Sequence, residues 1–505
     1  MKRPVIALGV VGLFLLVGLL VGLADLGLAG GLIIGAGLVC LIPVFASLLR
    51  GEHDIFEPSY LFALAFGVLF VIRPALEWSA THGVPTMGGL DPTPTYLAAI
   101  AIATLGAISF YAGYFSPVGT HLAHRLPASP EVLHPGRVWT GALGVAVLGI
   151  GMYVAFLMTT GGLGSFAVVI AGRNPDFVSS VSQPAGYLYS GLQFLFPAGV
   201  ILLVSARRWM SLNGLAGLAM VAMSVVPQFF TGSRSATLPA LLTLGLLWYL
   251  RRASRPRLVT MLSLALVGFV LVISVPRDYR NTDDRTGSLV DAVASSIANA
   301  EATGREFILG LDTAMLPAFA IEVSEVPGSI PFQFGSTYVE AALRPIPRAF
   351  WSAKPDAAET QLMRVFWPDL AAQRISLTFS LFGEPFLNFG LLGVVAISAL
   401  FGVAWRGLWE YWRRQPANPV AIGIFAISWP FLFVYLRGGI GVDYQRQVIA
   451  LLPFVALAWF AARGSVARAR AHSTAGRFRR IDGPNRPLGP IASGNPDRTV
   501  AGGSQ

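Results

Sequence analysis

The sequence predicts an all-α, polytopic membrane protein, and three observations carry that expectation. Hydrophobic residues make up 54% of the 505 and charged residues only 12%, where a typical soluble domain carries about 25% charged residues. About twelve apolar segments, most of them long enough to cross ~30 Å of hydrocarbon, are separated by short basic turns. One hydrophilic interval, from about Arg277 to Glu384, interrupts the series and holds most of the acidic residues.

In chain order the spans fall near residues 4–23, 27–48, 59–72, 96–117, 138–159, 188–206, 213–230, 236–250, 258–275, 387–405, 418–436 and 446–462. The third and eighth are short. The segment from Met1 to Leu23 resembles a secretory signal, with Lys2 and Arg3 before an apolar core, but a second span follows almost at once and an uncleaved first span is expected. With a cytoplasmic amino terminus, the turns holding Arg50, Arg125 and Arg137, Arg207 and Arg208, Arg251 to Arg257, and Arg406 to Arg414 all fall inside. Opposing turns carry isolated arginines such as Arg73 and Arg173. This positive-inside asymmetry sets one large loop outside the cytoplasm. The expected organisation is 1–275, a bundle of about nine spans; 276–386, the extracytoplasmic loop; 387–462, three further spans; and 463–505, a basic cytoplasmic tail. That tail is rich in Arg, Gly, Pro and Ser, and is expected to be disordered beside anionic lipid.

Composition excludes several functions. The net charge of +10 comes almost wholly from arginine, and no soluble segment interleaves basic with aromatic residues, so the charge reads as topology and no nucleic-acid partner is expected. Cys40 is the single cysteine, which rules out an intrachain disulfide and a cysteine-rich metal site. There is no Walker-type loop, HExxH or His/Cys cluster. Asp283 and Asp284 recur in a turn-forming stretch, a solvated loop rather than a metal pair. Neither a metal nor a cofactor is expected. The spans hold few ionisable groups away from their ends, which weighs against a pump or flippase.

Charge collects instead at the outer boundary: Arg234 in Thr231-Gly-Ser-Arg-Ser, Arg277 and Arg280 in Pro276-Arg-Asp-Tyr-Arg, and Arg437, Asp443 and Arg446 around Gly438 to Tyr444. Within the loop, Ser288-Leu-Val-Asp291 starts an amphipathic helix with Leu289, Val293 and Ile297 on one face. A second helix is expected from about Gly304 to Val323, with Ile308, Leu311, Met315 and Phe319 on one stripe. Asp312 projects within that stripe, either as the structural partner of Arg305 or toward a substrate cavity. Thr337-Tyr-Val-Glu340 fits a capping box stopped by Pro345, which makes Glu340 a cap rather than a catalyst. Arg344-Pro-Ile-Pro-Arg348 must be extended. Phe350 and Trp351 then anchor Arg348 and Lys354 at phosphate-headgroup depth, for substrate or simply for lipid. Glu384, in Gly383-Glu-Pro-Phe-Leu-Asn-Phe-Gly390, has two readings, a helix cap or an active-site group.

Three stretches together resemble the oligosaccharide repeat unit polymerases, the Wzy-type O-antigen polymerases of bacteria. They are Thr231-Gly-Ser-Arg-Ser at a span start, Phe334-Gly-Ser-Thr-Tyr leading to Ile346-Pro-Arg-Ala-Phe-Trp-Ser-Ala-Lys-Pro355, and Gly383-Glu-Pro-Phe-Leu-Asn-Phe-Gly-Leu-Leu-Gly393. The likeness covers roughly residues 220 to 405, and elsewhere is one of hydropathy; the amino-terminal half and the basic tail depart from it. It implies a GT-C-like membrane glycosyltransferase in the bacterial inner membrane, with both termini cytoplasmic. Its substrates would be undecaprenyl-diphosphate-linked glycans as donor and acceptor, and its partners membrane lipids, a chain-length regulator and a flippase. Arginines would stabilise the departing diphosphate without a metal. The clamp candidates are Arg234, Arg277, Arg280, Arg344, Arg348, Lys354 and Arg437, and the base candidates Glu384 and Asp312. An O-antigen ligase, a polyprenyl-phosphate-sugar-dependent transferase and a lipid-linked oligosaccharide flippase are the alternatives.

Overall fold

The computed structural model describes residues 27–159 apart from 82, 83 and 85, then 162, 186–230, 234–252, 256, 260, 308–310, 313–344, 346, 351, 354–372 and 377–462. Among these residues there is no strand, and nine helices are long and apolar enough to cross a membrane. These nine, with a shorter apolar helix at Thr237–Arg251, correspond to the second to eighth and tenth to twelfth expected spans. The first and ninth lie outside the described residues, as do the Ser288 helix, Asp283, Asp284 and the tail.

The helices are α1 (Gly27–Val39), α2 (Ile42–Arg50), α3 (Pro58–Gly67), α4 (Arg73–Thr81), α5 (Thr93–Phe115), α6 (Pro117–Arg125), α7 (Pro135–Thr159), α8 (Leu195–Ser205), α9 (Leu212–Phe230) and α10 (Arg234–Arg251). Then follow α11 (Met315–Glu325), α12 (Ser336–Leu343), α13 (Ala358–Phe366), α14 (Ser380–Arg413), α15 (Pro419–Ser428), α16 (Phe431–Gly438) and α17 (Ile440–Ala462). Local sequence sets many of the starts. Pro58, Pro117 and Pro419 stand at first helical positions, where no N–H is needed. Asn418 caps α15, its Oδ1 accepting from the Val420 and Ala421 amides at 2.9 and 3.1 Å.

The long α14 lies along α5 and α6, and the almost wholly buried α8 is enclosed by α7, α9, α15 and α17. Phe62, Phe66 and Phe70, four apart on one helical face, form a stacked series that meets Phe110 and Phe382. This aromatic seam fixes the start of α14 in the core.

The third span runs further than expected. A π-helical turn at Val68–Ile72 joins α3 to α4, and the apolar window reaches Ser79. Sequence reading ended the span at 72 because Arg73 and Glu77 interrupt the apolar run, but these two groups neutralise each other at 2.8 Å while only 5% and 4% exposed. The Arg73 guanidinium also reaches the carbonyls of Ile308, Leu309 and Gly310 at 3.1, 3.2 and 2.7 Å and the Thr313 hydroxyl at 2.7 Å. Tyr96 donates to the other oxygen of Glu77. One arginine thus ties the segment before α11 to the bundle. At the opposite end of these helices Arg50 and Arg406 share Glu57, at 3.1 and 3.4 Å, and Arg413 pairs with Glu52.

The second loop helix departs from expectation as well. It begins at Met315, after the turn held by Arg73, and it is buried on nearly every face. The sequence pattern puts Met315 and Phe319 on one stripe, and Leu316, Ala318, Ala320 and Ile321 outside that stripe are equally enclosed, by α5 and α14. Asp312 and Arg305 lie outside the described residues.

Candidate functional site

The site is organised by a break in α14. Gly390 has φ 62° and ψ −148°, a backbone that a side chain would strain, so the helix divides into a short segment at 380–389 and a span beyond it. The break leaves carbonyls at 387 and 388 without helical partners. The Gln333 and Phe334 amides satisfy them at 3.0 and 3.1 Å, which seats the chain leading into α12 against the short segment.

Glu384 lies on that segment, 4% exposed. Its Oε1 accepts from the Thr337 hydroxyl at 3.1 Å and its Oε2 from the Gly441 amide at 2.6 Å. One turn on, Asn388 donates to Thr337 Oγ1 at 2.7 Å and to the Glu384 carbonyl at 2.8 Å, and accepts from the Gly335 amide at 2.7 Å. A Cβ at position 441 would stand 2.1 Å from Glu384 Oε1, so only glycine lets the backbone come this close. Glu384 is therefore not a cap of its own helix: it joins the starts of α12 and α17. Each carboxylate oxygen has one lone-pair direction left after these bonds.

A cluster of charged groups from five elements adjoins it through Arg344 and Glu340. Glu340 takes a forked contact from Arg344, with Nη2 to Oε2 at 2.6 Å, and stands 3.7 Å from the Lys354 ammonium. The capping-box reading of Glu340 is corrected here. The helix begins at Ser336 behind Gly335, Thr337 lies inside it, and no side chain caps it. Lys354 is 6% exposed; its ammonium turns inward to the carbonyls of Arg344 and Ile346 at 3.1 and 3.3 Å rather than outward to headgroup depth. Asp443 pairs with Arg446 on the first turns of α17, and Arg437 closes α16. Tyr444 donates to the Ala341 carbonyl, binding α17 to α12. Half-buried Glu359 on α13 is pushed up to about 7, chiefly by burial and then by the Asp443 charge, against the opposing pull of Arg446, Arg437 and Arg344.

Behind Glu384 stands Glu322 of α11, with 0% exposure and no hydrogen bond to either carboxyl oxygen among the described residues. A Cβ on Gly383 would lie 2.6 Å from its Oε2. Burial first, and then the neighbouring Glu384 charge, hold Glu322 well above the usual carboxylate range; the Leu387 amide faces the carboxyl and opposes them, without hydrogen-bond geometry. The Tyr338 hydroxyl, also without a hydrogen bond, is pushed upward by burial and by both glutamates. Because the Glu322 value is raised on folding, the folded chain keeps a proton that the unfolded chain releases above about pH 4.3, and this group costs stability as pH rises from there. Glu322→Gln is neutral throughout. It should melt higher than the parent at neutral pH and converge with it below about pH 4. Melting curves at the two pH values check this, and a variant that melts lower at neutral pH would contradict it.

Of the residues singled out from sequence, Glu384, Arg344, Lys354 and Arg437 come together in this cluster. Arg234 opens α10 as expected, with its side chain outside the described atoms; Arg277, Arg280, Arg348 and Asp312 lie outside the described residues. Sequence reasoning passed over Glu322, Glu359, Thr337 and Asn388 as site groups. A lone carboxylate within Met315-Leu-Pro-Ala-Phe-Ala-Ile-Glu322 was a legible signal, as was the four-residue spacing of Glu384 and Asn388. Among the described residues no group of three or more His, Cys, Asp or Glu side chains is placed to hold a metal ion. No protein-family model, curated protein or solved structure matches the chain.

Proposed function

We propose that this chain is a membrane glycosyltransferase that polymerises undecaprenyl-diphosphate-linked oligosaccharide repeat units into a surface polysaccharide, working at the extracytoplasmic face of a bacterial inner membrane. The observation that carries the reading is a buried carboxylate, Glu384, fixed from two sides at a helix break with the Arg344 charge beside it, in a cluster where Arg344, Arg437 and Arg446 together face Glu359 and Asp443. The donor in such a reaction is already activated. The acceptor hydroxyl oxygen forms a bond to the anomeric carbon and the bond from that carbon to the diphosphate oxygen breaks, its electron pair leaving with the lipid diphosphate. Glu384 takes the proton of the acceptor hydroxyl on a lone-pair direction that Thr337 and Gly441 leave open. The departing diphosphate needs planar cationic forks, which arginine supplies better than lysine. Arg437, which faces Asp443 and Glu359 in the same cluster, is the candidate for this fork, with Arg234, Arg277, Arg280 and Arg348 supplying further contacts. Arg344 and Lys354, engaged with Glu340, hold the approach in shape.

Asp312 keeps its place as the alternative base. The test is deletion in the native host followed by gel analysis of surface glycan. Loss of long chains with retention of single repeats supports polymerisation. Full-length chains that are no longer attached to their final acceptor would point to a ligase, and an unchanged ladder would remove both readings.

A further inference from the structure

A half-open space with mixed polar and apolar walls lies beside the charged cluster, between helices of the bundle. It is a cavity of about 190 Å³ whose wall includes Tyr189, Gln193, Ser224, Gln228, Phe431 and Arg446. Gln193 belongs to the candidate span Tyr187–Ser205, and Ser224 and Gln228 to Leu212–Phe229. Polar groups placed inside apolar spans are costly, and mark a route or a site more often than a packing choice. Loose packing does not explain the space. The adjoining helices α8 and α9 touch backbone to backbone, and a Cβ at Gly199 would lie 2.6 Å from the Gly217 carbonyl. The volume is many times the roughly 10–15 Å³ that admits one water.

The chemistry of the wall selects a ligand class. Among the described residues its one cation, Arg446, is already paired with Asp443, so an anion such as a phosphate gains little from it, while a neutral polar molecule needs no charge partner. Two carboxamides and a hydroxyl both donate and accept, as vicinal hydroxyls do. Tyr189 and Phe431 offer apolar ring faces of the kind that cover the C–H face of a pyranose, and the Tyr189 ring is held by Tyr153 and Phe156 at centroid distances of 6.1 and 5.4 Å. We propose that this cavity is a saccharide-binding subsite that takes one neutral sugar ring. Arg446, on its wall, is five residues along α17 from Gly441, whose amide holds Glu384. That is a rise of about 7.5 Å along the helix, which puts the two on adjoining turns. On the polymerase reading above, the ring held here belongs to the lipid-linked glycan, next to the residue that reacts, and the cavity selects which repeat unit is accepted.

The test reads binding without turnover. Purified full-length protein in lipid nanodiscs is titrated with neutral hexoses, deoxyhexoses and N-acetylhexosamines, one at a time, and separately with inorganic diphosphate, following saturation transfer to the ligand protons or phosphorus line width. At least one neutral sugar should bind. Gln193→Met and Gln228→Met, which keep length and remove hydrogen bonding, should each weaken it about ten-fold or more, the Gln193 variant with an unchanged melting temperature and the Gln228 variant at a temperature where its own melting curve shows it folded. Absence of binding by every sugar would overturn the proposal. So would equal binding by both methionine variants, or diphosphate binding that the same variants abolish. A chain that binds sugar here yet builds no polymer would keep the subsite and remove the polymerase reading.

Discussion

Glu384→Gln should lower chain elongation by about 10²-fold or more, the usual scale for a lost general base, with membrane expression intact. The amide can be seated without breaking the scaffold. Its carbonyl accepts from the Gly441 amide, and its NH₂ group donates to the Thr337 hydroxyl, which now holds only an acceptor role toward Asn388 and can turn its own proton elsewhere. What the variant loses is the capacity to take a proton. Glu384→Ala would in addition leave a buried amide at Gly441 without an acceptor, so its loss of activity would mix chemistry with folding. Glycan length at matched expression is the readout, with Asp312→Asn run in parallel. Near-normal elongation by Glu384→Gln would make this residue a strut and move the base elsewhere.

Arg73→Ala should destabilise the protein by about 3–5 kcal/mol, because it strands the Glu77 carboxylate inside the bundle and frees the carbonyls of 308–310 at once. Lysine keeps the charge but cannot span the same acceptors, and should recover only part of the loss. The double change Arg73→Met with Glu77→Met removes the charge and its partner together, and should cost much less than Arg73→Ala. Thermal melting gives the ranking, and protease cleavage near residue 308 should track it. If Arg73→Ala melts like the parent, the latch is not what holds the start of α11.

How much of this was legible follows the physics of each element. Apolar spans announce themselves through length and composition alone, so ten of the expected twelve fall on described helices, with ends a few residues apart except in the third and tenth, which run further than expected. The far end of the third span escaped because an internal ion pair hides charge from the surrounding hydrocarbon, and hydropathy scores Arg73 and Glu77 singly. The loop helix at 315–325 shows one apolar stripe in its sequence, Met315 and Phe319, and that stripe alone does not announce burial on every side. Its remaining faces are small or apolar too, and they are covered by α5 and α14, which no local pattern encodes. Glu384 was recognised and its partners were not: Thr337 and Gly441 lie 47 and 57 residues away in sequence. Glu340 fitted a capping pattern by spacing, but its helix starts at Ser336 rather than after Thr337, which turned the carboxylate to Arg344 and Lys354.

The central claim is repeated glycosyl transfer onto a lipid-linked acceptor, and the most direct test is reconstitution of the purified chain in liposomes with undecaprenyl-diphosphate-linked repeat units as the sole substrate. The account predicts a ladder of products differing by one repeat unit, released lipid diphosphate in proportion to the bonds formed, and loss of both with Glu384→Gln. Repeat units recovered without elongation, by a protein that is folded and correctly inserted, would contradict it.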